Sequence, residues 1–128
     1  MKKIVSTLLL LVLLFIGFTS SPPKAEAHSK ANCEKIVQEI RRQNGSKQAQ
    51  QYLGRFVAWR ESGCSMQCVV DRDDTSCSRF GLNFKGKMVS FWRALCGAWS
   101  HVATKSIKVD VKCALRAFER YGTRPWRT

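Results

Sequence analysis

Histidine is scarce in this chain: its 128 residues hold two, His28 and His101. A Ser-His-Asp or Cys-His relay needs an imidazole beside the nucleophile, so that chemistry has little to draw on. A two-imidazole ribonuclease arrangement would have to use His28 as its second base. Val102 follows His101, so the His-Asp pair of calcium-dependent secreted phospholipases is missing. No glycine-rich phosphate loop is present, which argues against a nucleotide-binding βαβ unit. Internal repeats and low-complexity linkers are also lacking. Acidic side chains are few, 9 against 22 Lys and Arg, for a formal charge of +13. The length suits a single domain of roughly 100–150 residues.

The one long apolar run spans Leu8 to Phe18, 11 residues. A membrane-spanning helix needs about 20. Lys2 and Lys3 precede the run, and Pro22-Pro23 and Ala25-Glu26-Ala27 follow it. A basic start, a short apolar stretch and a small-residue A-x-A ending describe a secretory signal peptide, residues 1–27. Cleavage after Ala27 would leave a domain of residues 28–128 with a charge of +11 and no membrane span. The expected location is secreted and extracellular, and the expected state is a monomer.

All six cysteines, Cys33, Cys64, Cys68, Cys77, Cys96 and Cys113, fall in that domain. An even count in a small exported chain reads as three disulfides. Six cysteines permit about 15 pairings, and spacing alone does not choose among them. Cys64-x-x-x-Cys68 lacks a partner histidine nearby, so no metal is expected. No organic cofactor is expected either.

Helical spacing recurs through the domain. Asn32 can cap a first helix whose stripe is Cys33, Ile36, Val37 and Ile40, and Asn44-Gly45 ends it. Ser46 can cap a second helix carrying Ala49, Tyr52, Leu53, Phe56 and Val57, closed by Ser62-Gly63. Residues 64–78 show no period and read as a disulfide-pinned loop with a short hairpin. A third helix carries Met88, Phe91, Trp92 and Leu95, up to Gly97. A fourth starts near Ser106 and carries Val111, Ala114, Leu115 and Phe118, with Gly122 as its cap. The fold class is therefore mainly α, with a minor β element and disulfide support.

The strong positive charge favours an anionic partner. No nucleic-acid-binding motif is present, and export points away from nucleic acid. Of the eight carboxylates in residues 28–128, Glu61 stands apart. It follows Phe56-Val57-Ala58-Trp59 at a predicted helix C-terminus, where the negative end of the dipole disfavours an ionised carboxylate. Apolar neighbours act in the same direction, which suits a general acid. The alternative is a surface glutamate paired with Arg60 or Arg55.

Glu61 lies within Ala58-Trp59-Arg60-Glu61-Ser62-Gly63, and Ser78-Arg79-Phe80-Gly81-Leu82 follows. Further on come Phe91-Trp92, Cys96-Gly97, Asp110-Val111-Lys112-Cys113-Ala114 and Tyr121-Gly122-x-x-Pro125-Trp126. This ordered set resembles the lysozyme and lytic transglycosylase superfamily: the helix-ending E-S motif, the S-x-[YF]-G-L cleft wall and the last helix with its G-x-x-[PA]-W ending. The resemblance implies a small lysozyme-like helical domain that cleaves peptidoglycan between N-acetylmuramic acid and N-acetylglucosamine. It implies Glu61 as the acid, Ser62 as an orienting hydroxyl, and Ser78, Phe80 and Gly81 at the cleft wall. Bacterial peptidoglycan or another anionic wall polymer would be the partner.

Two positions depart from the family pattern. A glutamine usually follows shortly after G-L, whereas here Asn83 follows Leu82 directly and could stand in as the cleft amide. Arg79 occupies the place where animal lysozymes carry a second carboxylate, leaving Asp73 and Asp74 upstream as candidates. Two carboxylates suit hydrolysis, while transglycosylation needs only the acid. Among the tryptophans, Trp92 and Trp126 sit at core-like positions, and Trp59 and Trp99 complete the set. Two further readings stay open: a non-catalytic cationic antimicrobial or wall-binding protein on the same fold, and a disulfide-rich effector that binds a host receptor.

Overall fold

Ile36, Val37 and Ile40 are almost completely buried and form the inner stripe of the first helix, α1 (Lys24–Arg42). The computed structural model describes the backbone of residues 24–127 and the side chains of residues 30–127. The expected leader, residues 1–27, lies outside them apart from the opening turn of α1. That helix starts eight residues ahead of Asn32, so Asn32 sits inside it and not at its cap.

A second helical stretch follows, and it changes pitch along its length. It runs as α2 (Lys47–Ala49), a π-helical segment (Gln50–Val57) and α3 (Ala58–Ser62). Ser46 caps it as expected, its side chain accepting the Ala49 N–H. In the π segment the hydrogen bonds reach one residue further, as in Ala58 N–H to the Leu53 carbonyl. The wider turn aligns Ala49, Leu53 and Val57 on the buried face and leaves Phe56 half-exposed. Gly54 lets this stretch pack closely on α1, since a β-carbon there would stand 2.6 Å from Val37 Cγ2.

Gly63 and Cys64 both take positive φ, turning the chain out of α3 toward α1, where Cys64 joins Cys33. The hairpin β1 (Gln67–Val70) and β2 (Thr75–Ser78) is antiparallel, with Cys68 opposite Cys77 and the two bonded. Its turn is held by Asp71, whose Oδ1 accepts the N–H groups of Asp73 and Asp74. Next come α4 (Met88–Cys96), a single 3-10 turn (Ala103–Lys105), α5 (Ile107–Tyr121) and a final 3-10 turn (Arg124–Trp126). Ser106 caps α5 by accepting the Val109 N–H, and Cys96–Cys113 ties α4 to α5.

The three bonds use every cysteine. The chain is thus mainly helical, with a two-stranded sheet and three disulfides. α1, the π segment, α4 and α5 enclose one core in which Phe80 is the largest fully buried side chain. Among the described residues, no helix is long and apolar enough to cross a membrane.

Candidate functional site

The segment linking the hairpin to α4 is held at four points, and these fix the site. Asp110, fully buried on α5, accepts the Ser78 hydroxyl at 2.6 Å on Oδ1. Its Oδ2 takes the Arg79 N–H at 2.7 Å and the Arg79 guanidinium at 3.2 Å. Two residues on, the Trp126 indole donates to the Phe80 carbonyl at 3.0 Å. The Trp92 indole donates to the Asn83 carbonyl at 2.8 Å. The Ser62 hydroxyl, at the end of α3, lies 2.7 Å from the Arg79 carbonyl. Two tryptophans, one aspartate and one serine thus clamp residues 78–83 against four helical elements: α3, α4, α5 and the final 3-10 turn.

Gly81 sits at the centre of that clamp with φ +68°. A β-carbon there would stand 2.9 Å from Glu61 Oε2 and 3.3 Å from its carboxyl carbon. The glycine is therefore what lets the carboxylate lie against this backbone. A groove of about 440 Å³ opens beside it, lined mainly by Leu82, Met88, Phe91, Trp92, Tyr121 and Trp126, with Asn83 and Arg124 as polar members. Gly81 lines this groove and touches Glu61, while Glu61 itself is not one of the lining residues.

Glu61 is one-third exposed and paired. Arg60 donates to its Oε1 from Nη2 at 2.9 Å and from Nε at 3.2 Å. The same Nη2 reaches the Trp126 carbonyl at 2.7 Å, and the guanidinium lies over the Phe56 ring. The ion pair with Arg60 that the sequence left open is thus present, and it occupies one carboxylate oxygen while the other faces Gly81.

The two hairpin aspartates separate clearly. Asp73 is exposed, and among the described residues its hydrogen bonds are made by its backbone. Asp74 is half-buried, and its Oδ1 has no hydrogen-bond partner among the described residues. Burial, with the charges of Asp71 and Glu61, raises its carboxyl above the usual range, against the Thr75 N–H and Lys85. The charge of Glu61 is one of the smaller causes acting on Asp74, behind burial and Asp71.

Several expected cleft residues serve as struts. The resemblance puts Phe80 at the cleft wall, yet its ring is wholly inside the core and its bonds are made by its backbone groups. Ser78 is buried, donating to Asp110 and accepting the Phe80 N–H. The Ser62 hydroxyl faces the Ala58 and Arg79 carbonyls and makes no bond to Glu61. Asn83 lines the groove, but its amide bonds Asp73, Thr75 and Lys85 through their backbone groups. Arg79 turns toward α5, which explains why it does not face Glu61.

Asp110 was not singled out from the sequence. The signal was there: it falls between Ile107 and Ala114 on the apolar stripe of α5, where a charge is out of place. Burial is the main cause pushing its carboxyl up to about 6, opposed by its bonds from Ser78 and Arg79. Among the described residues, no group of three His, Cys, Asp or Glu side chains could hold a metal ion. Comparison with known proteins found no matching family model, no matching curated protein and no matching solved structure.

Proposed function

We propose that this protein is a secreted muramidase with a lysozyme-like fold, cleaving the bond between N-acetylmuramic acid and N-acetylglucosamine in peptidoglycan. The observation that carries the reading is Glu61 packed on Gly81, a residue that lines an aromatic groove, with the charge of Glu61 reaching Asp74. Grooves of this size and lining suit a sugar, whose apolar faces stack on aromatic rings and whose hydroxyls need a few polar partners. Three disulfides are compatible with export, as the leader-like residues 1–27 suggest.

In this reading Glu61 protonates the bridging oxygen as the glycosidic bond breaks. Asp74 then either activates the attacking water or attacks the anomeric carbon itself. Substrate entering the groove displaces Arg60 from Oε1, and the Trp126 carbonyl retains the guanidinium. Digestion of purified peptidoglycan, followed by mass spectrometry of the product ends, tests the reaction. Hydrolysis leaves reducing sugars. Attack by the sugar's own 6-hydroxyl leaves 1,6-anhydro ends and makes Asp74 dispensable.

One observation favours a second reading, a non-catalytic cationic wall-binding protein on the same scaffold. Arg60 satisfies Glu61 with two N–H groups, as a structural ion pair would. Wall binding without soluble muropeptides would support that reading.

A further inference from the structure

Lys108, Lys112, Arg116 and Arg120 follow one another at four-residue steps along α5. Such i, i+4 positions form one continuous ridge, here with a charge about every 6 Å over roughly 18 Å. Lys108, Arg116 and Arg120 are exposed and Lys112 is half-buried. None of the four is in a salt bridge among the described residues, where the four ion pairs found all use other cations. Glu119 is the carboxylate among the residues bounding the two hollows beside the ridge, leaving a cationic excess there. Arg116 is steadied by its bond to the Leu95 carbonyl at 3.2 Å.

Two shallow hollows flank the ridge and meet at Arg116 and Glu119. One, of about 400 Å³, is bounded by Gln43, Lys108 and Lys112. The other, of about 410 Å³, is bounded by Ala94, Leu95 and Arg120. No ridge residue lines the apolar groove beside Glu61.

We propose that this ridge binds a linear polyol-phosphate polymer of the bacterial wall. Consecutive phosphates in an extended glycerol-phosphate chain stand roughly 7 Å apart, taking a reach of about 3.5 Å per three backbone bonds. That repeat runs close to the spacing of the cations. A lipid surface fits less well, because the exposed apolar side chains, Val70 and Trp99 foremost, lie on other elements. A single-stranded nucleic acid fits less well too, because stacking needs successive rings along the row and the ring found against it, Tyr121, lies at its end under Arg120. The inference takes its polymer from the wall-directed reading above, but binding is read separately from bond cleavage.

The test is binding of fluorescent poly(glycerol phosphate) to the full oxidised protein over a salt series. Its partner is the Lys108→Gln/Lys112→Gln/Arg116→Gln/Arg120→Gln variant. The control replaces four exposed cations elsewhere, Lys35, Lys47, Arg72 and Lys87, by Gln, giving the same net charge. With both variants verified as folded by circular dichroism, the ridge variant is expected to bind at least about tenfold more weakly at low salt. Its log-affinity slope against log-salt should fall by about 3, at roughly 0.7 per phosphate contact. The control should keep most of the affinity. Equal losses in the two variants would overturn the proposal. So would tighter binding to phosphatidylglycerol vesicles or single-stranded DNA than to the polymer, or no polymer binding at all. Glu61→Gln should bind the polymer as wild type does, so failure of the ridge and failure of the catalytic reading are distinguishable.

Discussion

Gly81 lies so close to Glu61 that a β-carbon on it would stand 2.9 Å from the carboxylate oxygen Oε2. Its φ of +68° adds a second reason for glycine at this position. Gly81→Ala is therefore expected to cost about 1–2 kcal/mol in backbone strain and to push the carboxylate away from the groove. Denaturant unfolding should record the first effect. Muropeptide release should fall roughly tenfold to a hundredfold for the second, since misplacing a reacting group by about 1 Å has that effect. Wild-type release by a destabilised Gly81→Ala protein would show that the carboxylate's position against Gly81 is irrelevant.

Asp110 gives the fold a specific pH dependence. Its carboxyl is pushed up to about 6 in the folded protein, from 3.8 when unperturbed. Between those values the folded state holds a proton that the unfolded state has lost, so stability falls as pH rises. The contribution is fully present below about pH 4 and gone above about pH 6, on the order of 3 kcal/mol at ~1.4 kcal/mol per pH unit. Denaturant unfolding of wild type and Asp110→Asn across pH 4–7 measures it. The Asn variant should lack this part of the slope, because its amide does not titrate. Parallel curves for the two proteins would contradict the assignment.

Much of the scaffold was legible in the sequence. Ser46 and Ser106 cap helices as their positions suggested, because a hydroxyl ahead of an apolar-periodic run satisfies free N–H groups. Trp92 and Trp126 are buried, as their positions implied. The π segment was not legible, because its ladder follows from packing against α1, which a 3.6-residue pattern does not encode. Disulfide pairing was open for a related reason: the partners Cys33 and Cys64 are 31 residues apart and meet only after α1 and the second helical stretch fold together. At the site, Glu61 and Gly81 could be picked out by motif. Which of Asp73 and Asp74 turns inward is decided by the Asp71 side chain folding the hairpin turn, a three-dimensional fact.

That turn separates two adjacent carboxylates by burial, Asp73 exposed and Asp74 half-buried, and the proposed mechanism then assigns them different roles. Asp74→Asn should lower hydrolysis by roughly a hundredfold, within the range of a lost general base. Asp73→Asn should leave it within about twofold, as an exposed side chain outside the site. Kinetics of both variants on the same peptidoglycan preparation decide the matter. Equal losses would mean that the hairpin acts by overall charge. No loss in either would assign the second step to the sugar's own hydroxyl.

The central claim rests on Glu61, and its most direct test compares wild type with Glu61→Gln on purified peptidoglycan. The substitution keeps the size of the side chain and leaves an oxygen for Arg60, so the fold should survive. Release of soluble muropeptides, followed by mass spectrometry, is expected from wild type and to be at least about a hundredfold slower in the variant. Equal release by the two proteins, or none from correctly folded wild type across pH and salt, would contradict the account and leave a cationic binding protein with a structural Glu61–Arg60 pair.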